Sequence, residues 1–285
     1  MLGLEKKTCS NSGFFFPLLP CSLASAEHNI LSNYLSIIMN LNITGDRLIV
    51  FSTKHQVTMK DTITPDMGKD SVFMDLFEQV KPYTMTSVEA LFALYTAMNY
   101  VLDRNIPGDI VECGVWRGGS ALLAALVLKM RGVKDRKLYL YDTFEGMPTP
   151  TEFDVDKYGR TGLEMMEQYG DDVGWCYASL EDVQKAFSEH NFEFEIEFVQ
   201  GDVMETLKKT QPETISVLRL DTDWYESTAL EFELLYPRLS TAGVLIIDDY
   251  GVWAGSRKAT DDYFREVPGP MLIRIDKEVR LGIKI

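Results

Sequence analysis

The sequence predicts an α/β fold, with a mostly parallel sheet and helices on both of its faces. From residue 109 onward, short apolar runs typical of buried strands alternate with segments of helical periodicity. Strands joined through helices run parallel to one another, with right-handed crossovers. Two apolar runs near the C-terminus, at 271–275 and 279–283, are separated only by a short turn. We expect these two to pair as a hairpin, which makes the edge of the sheet mixed.

Each element of this fold follows from a local pattern. The five strands predicted before the terminal hairpin lie at 109–112, 137–142, 194–199, 215–221 and 243–248. The predicted helices lie at 70–80, 87–102, 118–130, 163–169, 180–190, 204–210, 226–239 and 256–266. Ser87 and Ser179 are suited to cap two of these helices, and Pro237 is expected to distort the last turn of another. A further short strand is predicted at 46–51, without an identified partner.

The charge balance narrows the class of function. The chain has 28 Lys and Arg against 43 Asp and Glu, a formal net charge of −15. Such a chain repels the phosphates of a nucleic acid. Its three histidines form no metal-binding pair, and its four cysteines are too few for a disulfide scaffold. With no run approaching the ~18 apolar residues of a membrane span, we expect a cytoplasmic protein that binds neither nucleic acid nor membrane.

The first 45 or so residues have an irregular composition. Lys6 and Lys7 precede a short apolar stretch that faintly resembles a signal peptide, but Pro17 and Pro20 interrupt it. We interpret this region as a poorly ordered tail or a misassigned start, with Met39 as the alternative start.

Polar residues follow the first two strands, at the edge where open α/β sheets bind their ligands. Glu112 ends the first strand, and a glycine-rich turn follows it without the GxGxxG pattern of dinucleotide binding. A carboxylate here would repel a pyrophosphate, and it suits a cationic ligand that carries an amino group and a sulfonium. Asp142 ends the second strand and suits ribose hydroxyls. The glycines alone could simply form a tight turn, whereas the glycines together with Glu112 and Asp142 favour a ligand site.

Carboxylates also end the later strands. Asp202 follows the third strand and could contact an adenine edge or cap the next helix. Asp221 and Asp223 follow the fourth strand, and Asp248 and Asp249 follow the fifth. Four like charges in one crevice are unfavourable without a cation, and carboxylates alone favour Mg²⁺, Ca²⁺ or Mn²⁺ over zinc. Some of the four could instead cap helices or face solvent.

Four motifs, in this order, resemble the macrocin O-methyltransferase (TylF-type) family. They are ECGVWRGGS at 112–120, YDTFEG at 141–146, LRLDTD at 218–223 and IDDY at 247–250. Members of this family depend on S-adenosylmethionine and a metal, and they methylate sugar hydroxyls of natural products. The resemblance covers roughly residue 82 to the C-terminus.

The resemblance implies a class I methyltransferase, with a Rossmann-like sheet whose last strand is antiparallel. It implies a methyltransferase domain at 82–285, preceded at 1–81 by a tail and a helical lid or oligomerisation region. A homo-oligomer and a sugar or glycoside acceptor are expected on the same basis.

Together with the strand-end pattern, the resemblance also assigns roles to single residues. Glu112 would hold the methionine amino end and Asp142 the ribose. The residues expected to contact the cofactor are Met85, Thr86, Glu112, Gly114, Gly118, Ser120, Asp142, Ser179 and Asp202. Helix capping explains Ser179 equally well. Asp221, Asp248 and Asp249 would bind Mg²⁺, with Mn²⁺ or Ca²⁺ as alternatives, and Asp223 would be the general base.

Other functions stay open at the level of the sequence. One is a magnesium-dependent methyltransferase of catechols or phenols, and another is a cofactor-binding protein without activity. A NAD-dependent oxidoreductase is disfavoured because the chain lacks a GxGxxG motif. The acceptor itself is not identified by the sequence.

Overall fold

A seven-stranded sheet lies at the centre of the computed structural model, which describes residues 63–170 and 175–285. Its strands are β1 (Asp109–Cys113), β2 (Leu138–Asp142), β3 (Ile196–Gln200), β4 (Ile215–Leu220), β5 (Leu239–Ile247), β6 (Ile273–Arg274) and β7 (Arg280–Ile283). Their order across the sheet is β3-β2-β1-β4-β5-β7-β6. The strand predicted at 46–51, the signal-like stretch and Met39 lie outside the described residues.

The strand directions confirm the predicted mixed sheet. β1 to β5 pair in parallel, and β7 runs antiparallel to both β5 and β6. β1 and β4 are neighbours near the centre, with Glu112 opposite Arg219 in the register. Because the five parallel strands end at the same edge, the residues that follow them come together there.

Helices cover both faces of the sheet. They are α1 (Pro65–Lys69), α2 (Ser71–Val80), α3 (Val88–Asp103), α4 (Gly119–Met130), α5 (Gly162–Tyr169), α6 (Leu180–Ser188), α7 (Val203–Thr206), α8 (Tyr225–Leu234) and α9 (Ala254–Glu266). Ser87 caps α3 as predicted, since its side chain accepts a hydrogen bond from the Ala90 N–H. No helix within these described residues is long and apolar enough to cross a membrane.

The helix predicted at 226–239 is too long. It ends at Leu234, and Pro237 lies in a separate 3₁₀ turn, Tyr236–Arg238. Leu239 already begins β5, four residues before the predicted start of that strand. Proline removes a backbone donor and clashes with the preceding turn, so the helix cannot continue through this position.

Two apolar cores form on the two faces of the sheet. Successive residues of β1 point to opposite faces, so that Ile110 packs into one core and Val111 into the other. The first core is built with α2, α3 and α4, and the second with α8 and α9. Helix α2 contributes buried Phe73 and Phe77 to the first core, so the described part of the expected lid region packs against α3 and α4. Where a lid or an oligomer interface begins stays a prediction.

Candidate active site

An open cavity lies at the carboxyl ends of the parallel strands, and its empty space of about 400 Å³ includes the solvent at its mouth. Its lining includes Gly114 after β1, Asp142 at the end of β2, Asp202 after β3, and Asp221 and Thr222 after β4. Three of the expected cofactor residues and one expected metal ligand therefore lie around a single space.

The turn after β1 depends on its glycines. Gly114 has φ +82°, and a Cβ at this position would lie 1.8 Å from the carbonyl oxygen of Asp221. Gly118 has φ +85° at the start of α4. Both positions need a residue without a side chain. Gly114 thus lets β1 and β4 approach each other closely, in addition to lining the cavity.

Asp142 holds this turn in place. Its Oδ2 accepts hydrogen bonds from the backbone N–H groups of Val115 at 2.6 Å and Trp116 at 2.9 Å. Its Oδ1 accepts from the N–H of Phe144 at 2.7 Å. The carboxylate therefore fixes the loop beside the cavity that it also lines, and its expected contact with a ribose stays a prediction.

Arg219 is the residue of the site that sequence reasoning missed. It lies in the buried central strand β4, and its side chain is only 4% exposed. Nη1 donates to Glu112 at 2.7 Å and to Asp221 at 2.5 Å. Nη2 donates to Asp248 at 2.6 Å and to Thr86 Oγ1 at 3.1 Å. A charged residue inside the apolar run ISVLRL was the signal that could have revealed it.

Three of the predicted carboxylates form one cluster. Asp221, Asp248 and Asp249 each offer an oxygen within 4.8 Å of the others. The neighbouring positions of β4 and β5 produce this arrangement, with the Asp248 N–H donating to the Leu220 carbonyl at 2.9 Å. Burial raises the pKa of both Asp221 and Asp249 well above the usual range of a carboxyl. Hard oxygen donors crowded in this way fit a divalent cation.

Asp223 lies beside this cluster. Its backbone N–H donates to Asp249 Oδ2 at 3.2 Å. Burial raises the pKa of Asp223 to about 8, and the negative charge of Asp221 acts in the same direction. Once ionised, a carboxylate with a raised pKa is a stronger base than an ordinary aspartate. A cation bound beside it would favour the ionised form.

The other expected cofactor residues are more dispersed. Ser120 is buried, and its hydroxyl lies 3.4 Å from that of Thr86. Met85 is 61% exposed and does not line the cavity. Ser179 and Asp202 cap α6 and α7, accepting hydrogen bonds from backbone N–H groups. Of these two caps, only Asp202 also lines the cavity, so the structure supports the capping interpretation of Ser179.

Three tryptophans pack together near Asp223. The ring centroids of Trp224 and Trp253 are 4.8 Å apart, and Trp175 lies 6.1 Å from each of them. Residues 155 and 156, between β2 and α5, contact this region through an isolated bridge from Asp156 to Trp253 and a hydrogen bond from the Ala254 N–H to the Val155 carbonyl. The acidic cluster therefore has an aromatic group of side chains at its border.

The fold and the site together define a class of protein. A parallel sheet with an antiparallel last strand, and a cavity at the carboxyl edge lined by acidic residues, is the arrangement of a class I methyltransferase. The sequence profile of the family "Macrocin-O-methyltransferase (TylF)" matches residues 42–279. The chain belongs to this family, and it is an S-adenosylmethionine-dependent O-methyltransferase.

Named relatives agree with this assignment. The chain is 32% identical over 198 residues to demethyldecarbamoylnovobiocin O-methyltransferase of Streptomyces niveus. The alignment covers 69% of this chain and 73% of the relative. It is 36% identical over 182 residues to a rhamnosyl-tetracenomycin C 4'-O-methyltransferase of Streptomyces olivaceus, covering 64% and 67%. Among solved structures, the O-methyltransferase NovP superposes with a TM-score of 0.62 at 32% identity, covering 71% of this chain and 82% of that one.

Proposed function

We propose that this enzyme methylates a hydroxyl of a sugar or of a glycosylated natural product, with a divalent cation bound beside the cofactor. The observation that carries the proposal is the cluster of Asp221, Asp248 and Asp249 next to Asp223, at the border of a cavity that Asp142 also lines. The part of the cavity assigned to the cofactor, which we call the cofactor side, therefore lies next to the acidic cluster.

The cofactor side suits the charges of S-adenosylmethionine, which supplies the methyl group when bound. Glu112 is buried, and only its Oε1 is engaged by Arg219. Burial raises the pKa of Glu112 to about 7, while Arg219 opposes this shift. A cationic amino group beside Glu112 would favour the ionised carboxylate further. Asp142 would accept hydrogen bonds from the ribose hydroxyls.

The acidic side suits a metal and a base. When bound to Asp221, Asp248 and Asp249, a divalent cation would supply positive charge that makes a nearby hydroxyl more acidic. Mg²⁺ is the first choice, and Mn²⁺ or Ca²⁺ would suit the same oxygen ligands. Asp223 would accept the proton of the acceptor hydroxyl, and the rigid turn in which it lies would hold it in position.

The relatives support a glycosylated acceptor. One is named for a demethyldecarbamoylnovobiocin and another for a rhamnosyl group of a tetracenomycin. Within the tryptophan cluster beside Asp223, Trp224 and Trp253 are buried, whereas the half-buried Trp175 would offer an apolar face to a sugar ring. The cytoplasmic location and the homo-oligomeric state expected from the sequence stay predictions.

A methyl-transfer screen tests this function. The enzyme is incubated with labelled S-adenosylmethionine and three sets of acceptors: glycosylated small molecules, free sugars and catechols. We expect transfer to a sugar hydroxyl, its loss in EDTA and its recovery on addition of Mg²⁺. Transfer confined to catechols would contradict the acceptor class. Full activity in EDTA would contradict the metal site.

A further inference from the structure

Arg219 occupies a position where a charged side chain is costly. β4 lies near the centre of the sheet, and all six of its residues are buried. A guanidinium removed from water in this way is destabilising unless acidic partners surround it. The partners of Arg219 come from four separate segments of the chain, which identifies it as the point where those segments meet.

The contacts of Arg219 join two parts of the site. On one side it binds Glu112, the carboxylate assigned to the cofactor, and Thr86 from the loop before α3. On the other side it binds Asp221 and Asp248, two of the three carboxylates assigned to the metal. It engages one oxygen of each aspartate, Oδ2 of Asp221 and Oδ1 of Asp248, so the other oxygen of each stays outside the ion pair.

The positive and negative charges around Arg219 do not cancel. One guanidinium stands among the four carboxylates of Glu112, Asp221, Asp248 and Asp249, which leaves a net formal charge of three negatives that a divalent cation would reduce to one. If the guanidinium were absent, these carboxylates would repel one another at close range in a poorly solvated space. The cluster would then depend far more strongly on an added cation.

We propose that Arg219 is a positioning residue, an internal counter-ion that holds Glu112, Asp221 and Asp248 in place before a metal binds. It thereby ties the cofactor side of the site to the metal side. The proposal rests on the proposed function in one respect, since it takes Asp221 and Asp248 as metal ligands. Its consequence is that the folded enzyme needs no divalent cation, whereas a variant without the guanidinium does.

Thermal unfolding of the full chain in EDTA and in excess MgCl₂ tests this. We expect Arg219→Met to lower the Tm in EDTA by roughly 10 °C, the usual size for breaking a buried ion pair in a domain of this length. Mg²⁺ should then raise the Tm of R219M by at least about twice as many degrees as it raises that of the wild type. Arg219→Lys keeps the charge and should respond to Mg²⁺ as the wild type does.

Arg136→Met is the matched control. Arg136 donates hydrogen bonds to the Gly108 carbonyl and the Ser216 hydroxyl, at the amino ends of β1 and β4. The acidic cluster lies at the carboxyl ends of these strands. R136M should lose stability equally in EDTA and in Mg²⁺. If R219M behaves like R136M, or stays insoluble even when purified in Mg²⁺, the counter-ion role is wrong.

Calorimetric titration of the wild type with MgCl₂ distinguishes this failure from that of the proposed function. A wild type that binds no Mg²⁺ overturns the metal site together with the role of Arg219. A wild type that binds Mg²⁺, combined with an R219M that responds no more strongly than the wild type, overturns the role of Arg219 alone.

Discussion

Asp223 has a left-handed backbone conformation, with φ +63°, which disfavours most residues with side chains by about 1 kcal/mol. Strain of this kind often persists where function requires it. Asn adopts the same conformation readily, so Asp223→Asn removes the charge and leaves the turn intact. This makes the role of the carboxylate testable in isolation from the fold.

We expect Asp223→Asn to lower kcat by at least about 100-fold, the usual contribution of a general base. The Kd for S-adenosylhomocysteine should not change, because the proposed mechanism places Asp223 on the side of the acceptor. Turnover assays and calorimetry measure the two quantities separately. Glu226→Gln, an exposed acid at the start of α8, should keep wild-type activity. Wild-type turnover by D223N would exclude Asp223 as the base.

Glu231 is another buried carboxyl, located on α8. It is fully buried, and its Oε2 accepts a hydrogen bond from the Thr222 hydroxyl at 3.2 Å. Burial raises its pKa from 4.5 to about 8, although the bond from Thr222 acts in the opposite direction. The folded chain therefore binds a proton here that the unfolded chain releases above pH 4.5.

This proton makes stability depend on pH. Because the folded state binds more protons than the unfolded state between pH 4.5 and about 8, Glu231 lowers the free energy of unfolding as the pH rises through that window. Glu231→Gln should remove this loss of stability and be more stable than the wild type by on the order of 5 kcal/mol at pH 9. Urea unfolding at pH 5 and pH 9 measures the difference.

The difference should be small at pH 5, where the buried carboxyl is neutral. Glu233→Gln changes an exposed acid on the same helix and should leave the pH profile unchanged. An E231Q whose stability falls between pH 5 and pH 9 as steeply as that of the wild type would show that Glu231 is not the group responsible.

At the scale of elements, α8 is capped by a residue from a distant segment. Trp224 stands at its N-cap without a capping side chain. Asp154 supplies the missing acceptor, since its Oδ1 accepts from the Tyr225 N–H at 2.7 Å. Its Oδ2 binds both the N–H and the hydroxyl of Thr151. The cap therefore anchors the segment between β2 and α5 beside the tryptophan cluster.

We expect Asp154→Ala to destabilise the enzyme by about 2 kcal/mol, because a helix cap and the local turn are lost together. The anchored segment should also be cut faster in limited proteolysis. Urea unfolding and timed digestion measure the two effects. Glu152→Ala, an exposed neighbour, should change neither. Unchanged stability in D154A would mean that the bond to Tyr225 does not support α8.

These caps show what local sequence can and cannot predict. Ser87 and Ser179 were predicted as caps because each lies within three residues of the backbone group that it binds. The cap by Asp154 joins residues 71 positions apart, and no local pattern records such a contact. The same holds for Arg219, whose partner Glu112 is 107 positions away.

At the scale of the whole molecule, the sheet explains why so much of the site was predictable. The carboxyl ends of parallel strands meet at one edge, so Asp221, Asp248 and Asp249 could be grouped before any coordinates were known. The apolar periodicity located the strands, but it did not reveal the ion pairs that Arg219 forms between them. The acidic excess likewise divides into surface charge and a buried cluster that Arg219 neutralises in part.

A ligand at this edge should stabilise the whole sheet, because residues after β1, β2, β3 and β4 all line the cavity. We expect S-adenosylhomocysteine at 100 times its Kd to raise the Tm by about 5–10 °C. Far-UV circular dichroism and tryptophan fluorescence should report the same shift if the sheet and the tryptophan cluster unfold together. NAD⁺ should cause no shift, since the turn after β1 lacks the dinucleotide motif. A shift with NAD⁺ equal to that with S-adenosylhomocysteine would contradict the assigned cofactor selectivity.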